Sequence, residues 1–185
     1  KTIVKVAGTW STGGALNTAR RNPVGIGSQT AALCAGGRAA PARTAVVENY
    51  DGSSWTEVGD LNTAKMAMAN AGTVTAGLVT AGYNDDASPG MLTETEEYNG
   101  TSWTEVTNSN AGRYLSAQGI GIQTAALYVA GRDLAPPAAN KTLNEEYDGT
   151  NWTETADINT ARHALGGSGT TTAGLVFGGA EPSAS

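Results

Sequence analysis

Four tryptophans, Trp10, Trp55, Trp103 and Trp152, recur at near-even intervals along the 185 residues, and the text between them recurs in step. A base follows each tryptophan by ten positions: Arg20, Lys65, Arg113 and Arg162. Asn17-Thr18-Ala19, Asn62-Thr63-Ala64 and Asn159-Thr160-Ala161 precede three of these bases. Further on come Thr30-Ala31-Ala32-Leu33, Thr75-Ala76-Gly77-Leu78, Thr124-Ala125-Ala126-Leu127 and Thr172-Ala173-Gly174-Leu175, which lead to Gly37, Gly82, Gly131 and Gly179. An acidic segment then returns to the next tryptophan: Glu48-Asn49-Tyr50-Asp51-Gly52, Glu96-Glu97-Tyr98-Asn99-Gly100 and Glu145-Glu146-Tyr147-Asp148-Gly149. Offsets kept over a whole chain mean a repeat architecture, in which each unit buries its apolar face against the next.

Each unit reads as four short strands. The first follows the base, as in Met66 to Ala71 or His163 to Gly167. The second is the Thr-Ala-x-Leu run, the third the Glu-x-Tyr segment, and the fourth begins at Trp. Asp51-Gly52, Asn99-Gly100 and Asp148-Gly149 have the chemistry of hairpin turns. Gly27-Ser28, Gly72-Thr73 and Gly169-Thr170 are expected to turn strand one into strand two. Aromatic content of 6% beside 25 glycines suits short, closely packed strands better than helices. Four strands in a period of about 47 residues predict a β-propeller blade.

Gly36-Gly37 and Gly178-Gly179 after an apolar strand, then Tyr-Asp-Gly, then Trp, resemble the kelch repeat. The resemblance covers nearly all of the chain. Ala81-Gly82 and Ala130-Gly131 depart from the double glycine, and the Trp-to-base spacing is longer than the kelch pattern. The resulting expectation is an all-β, four-bladed kelch-like β-propeller with four antiparallel strands per blade. It forms a single domain over 1–185, with blades at about 17–59, 60–107, 108–156 and 157–185, the last completed by 1–16. Too few residues follow Gly179 for two more strands. The stretch Lys1 to Val6, with Ala7-Gly8-Thr9-Trp10, is expected to supply them, so that the N- and C-terminal segments share one blade and cover each other's edges. Ala67, Ala69, Ala71, Ser116, Ala117, Ala164, Gly166 and Gly167 are small, as the inner strands of a narrow ring require.

The composition excludes several functions. With 11 Lys and Arg and a net charge of -6, the chain lacks the footprint of a nucleic-acid binder. No apolar run reaches the length of a membrane-spanning helix, so no membrane insertion is expected. Cys34 has no partner for a disulfide within the chain and reads as a core residue. The single histidine, His163, rules out multi-histidine metal centres, including the two-histidine copper site that the kelch resemblance brings to mind. A Ser-His-Asp triad would have to use that same residue inside a strand. Tyr-Asp-Gly-x-x-Trp is similar to the sialidase Asp-box, which however separates its Asp and Gly. Asp85 and Asp86, in a Gly/Pro/Ser loop, could hold calcium, but two adjacent carboxylates are weak evidence for it. Asn99-Gly100-Thr101, Asn140-Lys141-Thr142 and Asn151-Trp152-Thr153 match glycosylation sequons that an Asn/Thr-rich chain carries by composition. No cofactor, metal or catalytic activity is expected.

Connections in an antiparallel blade alternate between its two faces. The link from strand four to strand one, which carries the base, therefore emerges on the same face as the link from strand two to strand three. The latter are long and variable: Arg38 to Arg43, Tyr83 to Met91 and Arg132 to Lys141. Loops held by a rigid scaffold are where binding resides. Candidate ligand-binding residues are Arg20, Lys65, Arg113 and Arg162, as a ring for an anion or acidic sugar. The competing use of each base is to pair with a neighbouring acid or cap backbone carbonyls. On the loop face the candidates are Arg38, Arg43, Asn84, Asp85, Asp86, Arg132 and Asp133. The tryptophans and tyrosines are expected to pack between blades, and Glu57, Glu105 and Glu154 to face solvent. The expected function is a non-enzymatic binding module with a protein or glycan partner. The alternative is a structural or display domain of a larger assembly, such as a phage tail, fibre or capsid decoration, whose repeat style this chain resembles. A place outside the cell or on a virion surface is expected ahead of the cytoplasm.

Overall fold

The computed structural model describes residues 12–86, 90–116, 119–134 and 138–181. The expected closing strand, Lys1 to Val6, and Trp10 lie outside these residues. Among the described residues all regular structure is β, with no helix.

Three four-stranded antiparallel sheets follow one another. The first is β1 (Val24–Ser28), β2 (Ala31–Ala35), β5 (Val47–Tyr50) and β6 (Trp55–Glu57), with a small separate hairpin, β3 (Arg38–Ala39) and β4 (Ala42–Arg43), rising from the β2–β5 link. The second is β7 (Ala69–Thr73), β8 (Ala76–Thr80), β9 (Thr95–Tyr98) and β10 (Trp103–Val106). The third is β11 (Gly121–Ile122), β12 (Ala125–Val129), β13 (Asn144–Tyr147) and β14 (Trp152–Thr155). A two-stranded unit, β15 (His163–Thr170) and β16 (Ala173–Ala180), ends the series. Strands three and four therefore start where the Glu-x-Tyr and Trp motifs put them.

The turn between strands one and two lies later than its glycine suggests. Pairing runs on through Thr73↔Ala76, so Val74 and Thr75 form the tip. Gly72 stays inside the strand at φ +93°, where a Cβ would lie 2.1 Å from the Ala76 carbonyl oxygen. The departures from the double glycine also have a backbone explanation. Its first position has φ of 61° at Gly36, 59° at Ala81, 57° at Ala130 and 68° at Gly178, a left-handed conformation that alanine can adopt at a cost of about 1–2 kcal/mol. The second has φ of 106°, 100° and 102° at Gly37, Gly82 and Gly131, outside what any L side chain tolerates comfortably. All four repeats keep glycine at the second position, where φ is 79° at Gly179 and 100–106° in the others, whereas only two keep it at the first.

Successive sheets join face to face by one recurring contact. Val24, Ile26, Leu33, Ala35 and Val47 of the first sheet receive Val79, Tyr98 and Trp103 of the second. Ala69, Ala71 and Leu78 of the second receive Tyr128, Tyr147 and Trp152 of the third. Each tyrosine lies against the tryptophan of its own sheet, with ring centroids 4.9 Å apart in both cases. Such aromatic pairs carry the largest apolar area in the joint. The third joint has no aromatic among the described residues: Ile158, Leu165 and Val176 pack with Ile120, Leu127, Val129 and Ala130.

A belt of backbone hydrogen bonds runs across all four units, two residues beyond each base. Ala67 N–H donates to Asn22 O at 2.9 Å, Leu115 N–H to Ala67 O at 2.9 Å, and Ala164 N–H to Leu115 O at 2.6 Å. All four residues have positive φ, between 51° and 56°. Among the described residues the series stays open. The far face of β15–β16 leaves Leu175 and Phe177 61% and 54% exposed.

Candidate functional site

The four bases do not share one environment. Before each sheet the chain crosses the outer strands of that sheet, and a glutamate of strand three grips the crossing segment. Glu96 accepts the Asn62 N–H at 2.6 Å, the Asn62 side-chain amide at 3.0 Å and the Lys65 ammonium at 3.0 Å. Glu145 accepts the Asn110 N–H at 2.7 Å, its amide at 3.0 Å and the Arg113 guanidinium at 2.9 Å. Glu48 accepts the Asn17 N–H at 2.7 Å and pairs with Arg20. The asparagine amide also donates to the tryptophan carbonyl, Trp55, Trp103 or Trp152, at 2.9–3.1 Å.

The bases also donate to main chain. Arg20 donates to Val46 O at 2.5 Å, Lys65 to Glu94 O at 3.0 Å, and Arg113 to Ala130 O and Tyr128 O at 2.8 and 3.1 Å. Arg113 also lies 3.8 Å from the centroid of the Tyr128 ring. Burial pushes the Lys65 pKa down, with the Glu96 charge opposing it. Burial pushes Glu48 up, but the Asn17 and Thr18 N–H groups and Arg20 outweigh it and leave the carboxyl below its ordinary value. Arg20, Lys65 and Arg113, considered as a cationic ring, are thus buried structural ion pairs that present no free charge. A buried base left unpaired would be costly, which is why each has a fixed acid. Only Arg162 is partly open, and it pairs with Glu181.

The loops do meet on one face. Arg43, from the β3–β4 hairpin, pairs with Asp85 in the next sheet's loop and lies over the Tyr83 ring, 4.8 Å from its centroid. Tyr83 packs on Tyr114 at 5.8 Å between centroids. Tyr114 is bridged to Arg132 by reciprocal main-chain bonds of 2.9 and 3.1 Å. Asp133 pairs with Lys141 at 2.5 Å. Burial raises the Asp133 pKa, but Lys141 and the Ala139 N–H bring it below the usual carboxylate range. Asn84 is a loop staple: its amide donates to Ala64 O at 2.9 Å, and its carbonyl caps the Asp86 N–H at 2.9 Å. Arg38 donates to Pro41 O at 3.1 Å within its own hairpin. Asp85 and Asp86 are exposed, and a cleft of about 420 Å³ lies between Ala19, Arg20, Arg21, Arg38 and Ala40.

The sequence reading bounds two of these loops with Tyr83 and Lys141 without singling those residues out, and does not include Tyr114 and Arg21 in this face or Glu48, Glu96 and Glu145 as the partners of the bases. The repeat held the signal for the latter, because the glutamate keeps its place in strand three of all three complete sheets. His163 is half-buried in β15. Glu57, Glu105 and Glu154 are exposed, while Trp103 and Trp152 are buried between sheets. Cys34 is buried, and burial raises its pKa. Among the described residues no group of three or more His, Cys, Asp or Glu could hold a metal ion, and no helix is long and apolar enough to cross a membrane.

No protein-family model matches the chain, and no curated protein matches it. Solved structures do. The structure of YjhT matches 91% of this chain with a TM-score of 0.73 and 10% sequence identity. The chain spans 64% of the length of that neighbour, and the likeness is one of fold.

Proposed function

We propose that this chain is a kelch-type propeller arc that acts as a non-enzymatic binding module through its loop face. The observation that carries the reading is the linkage of loops from three consecutive sheets into one surface by Arg43–Asp85, Arg43 over Tyr83, and Tyr83 against Tyr114. The belt through Asn22, Ala67, Leu115 and Ala164, and the repeated Tyr/Trp joint, support an arrangement of the sheets about one axis. The surface mixes exposed carboxylates with arginines and aromatic edges, a composition suited to a protein or a glycan. Its rigid base and short-range ties make it a preformed platform.

A glycan array probed with the labelled chain, followed by the loop-face variant Asp86→Lys with Arg132→Glu, tests the reading. Binding is expected to be lost in that variant and kept in Thr150→Lys, which lies at a turn on the opposite face. Equal binding by both would move the site elsewhere. A structural role in a larger assembly is the second reading, favoured by the exposed outer face of β15–β16.

A further inference from the structure

One residue after each base, a short ladder crosses the loop face. In the first sheet Arg21 faces Arg38, and Arg38 faces Arg43. In the second sheet the same row is Met66, Tyr83 and Met91, and in the third it is Tyr114, Arg132 and Asn140. Residues directly opposite in an antiparallel pair share a face, so each row is a line of neighbouring side chains. The second row is apolar and aromatic. The third combines an aromatic, a cation and an amide. The first is three arginines abreast, and like charges directly opposite one another destabilise a strand pair.

One of the three has its counter-charge, since Arg43 pairs with Asp85 and lies over the Tyr83 ring. The other two have none. Arg38 is half-buried and donates to Pro41 O at 3.1 Å. Arg21 is exposed, and its guanidinium meets no acceptor among the described residues. Both line the cleft of about 420 Å³, beside Ala19, Ala40 and Arg20, and Arg20 is already paired with Glu48. No carboxylate is among the lining residues. In a chain with 17 Asp and Glu against 11 Lys and Arg, two facing arginines without an acid mark a place for an anion from outside.

Two guanidinium forks select the ligand. A carboxylate has two oxygens and fills one fork. A phosphomonoester has three terminal oxygens and a charge of about −1.5 to −2, which suits two forks and two charges. The main-chain groups of Arg21 and Arg38 bond to each other at 2.8 and 3.0 Å, so they offer no edge to an added peptide strand. The volume is that of a small-molecule site. We propose that this cleft binds the phosphate ester of a sugar, an inference that rests on the loop face being the binding surface. The phosphoryl oxygens are shared between Arg21 and Arg38, and the sugar lies against Ala19 and Ala40.

The probe is glucose 6-phosphate, titrated into the full chain by calorimetry at low salt. Saturable binding is expected, at least tenfold tighter than that of glucose or glucuronate. Arg21→Gln and Arg38→Gln should each weaken it at least tenfold. Thr56→Glu, on the outer strand β6 of the same sheet, makes the same change in net charge and should leave the affinity within twofold. Without ligand, Arg21→Gln should melt no lower than the wild type, because a like-charge contact is relieved. A lower melting temperature would overturn the proposal, since Arg21 would then be holding the fold. Absence of saturable binding overturns it, as does equal affinity for glucuronate or equal weakening by Thr56→Glu. Tighter binding of O-phosphoserine also overturns it, and would assign the cleft to a phosphorylated protein. The array variant Asp86→Lys with Arg132→Glu leaves Arg21 and Arg38 in place, so the two readings fail separately.

Discussion

Trp103 and Trp152 occupy the same place in consecutive sheets, yet only one has a partner for its indole N–H. Trp152 Nε1 donates to Thr95 Oγ1 at 3.0 Å, whereas Trp103 Nε1 is buried with none. The residue equivalent to Thr95 in the first sheet is Val47, which offers no acceptor. Val47→Thr is therefore expected to be neutral or to stabilise by up to about 1 kcal/mol, where an unpartnered buried hydroxyl costs about 1–3. Urea unfolding checks the sign, and a loss above about 1 kcal/mol would contradict the joint as described. Asp51 shows a second residue-level effect. Hydrogen bonds from the Ser54 N–H, then from the Ser53 hydroxyl and N–H, lower its pKa from 3.8 to about 2. Asp148 is lowered likewise by the Asn151 and Thr150 N–H groups. A depressed carboxylate contributes stability that is present above its unfolded pKa and lost as pH falls through the folded one. Asn99 makes the same turn without titrating, accepting from Thr101 and Ser102 N–H at 2.9 and 3.0 Å. Asp51→Asn with Asp148→Asn should melt like the wild type at pH 7 and fall less between pH 4 and 2. Superimposable acid profiles would contradict the assignment.

At the scale of elements, the ion pairs fasten each crossing segment to the sheet it leads into. Removing one partner leaves a buried charge uncompensated. Glu145→Ala is expected to cost about 3–5 kcal/mol in chemical denaturation, and Glu145→Ala with Arg113→Met much less than the single change. A single-mutant cost under about 1 kcal/mol would mean that the pair is solvated. The strands themselves were legible in the sequence, because Glu-x-Tyr, the turn residues and Trp mark strands three and four by local chemistry. The partner of the base was not, since pairing across about thirty residues depends on which face of strand three the glutamate occupies. The turn before strand two was misplaced for a related reason. A glycine at positive φ inside a strand and one at a turn tip look the same in sequence.

For the whole molecule, the repeat made the head-to-tail order of the sheets readable, but not how the series ends. Small residues in strand one suggested a narrow closed ring. The strand expected to complete the fourth sheet lies outside the described residues, and the known fold it matches belongs to a longer chain. What the structure adds is the belt through Asn22, Ala67, Leu115 and Ala164, which no isolated hairpin could form. Amide hydrogen exchange of the full chain tests that arrangement most directly. The N–H groups of Ala67, Leu115 and Ala164 are expected to exchange as slowly as those in the middle of β8 and β12. Exchange at the rate of the exposed turn residues Thr101 and Thr150 would mean that the sheets are not joined about a common axis.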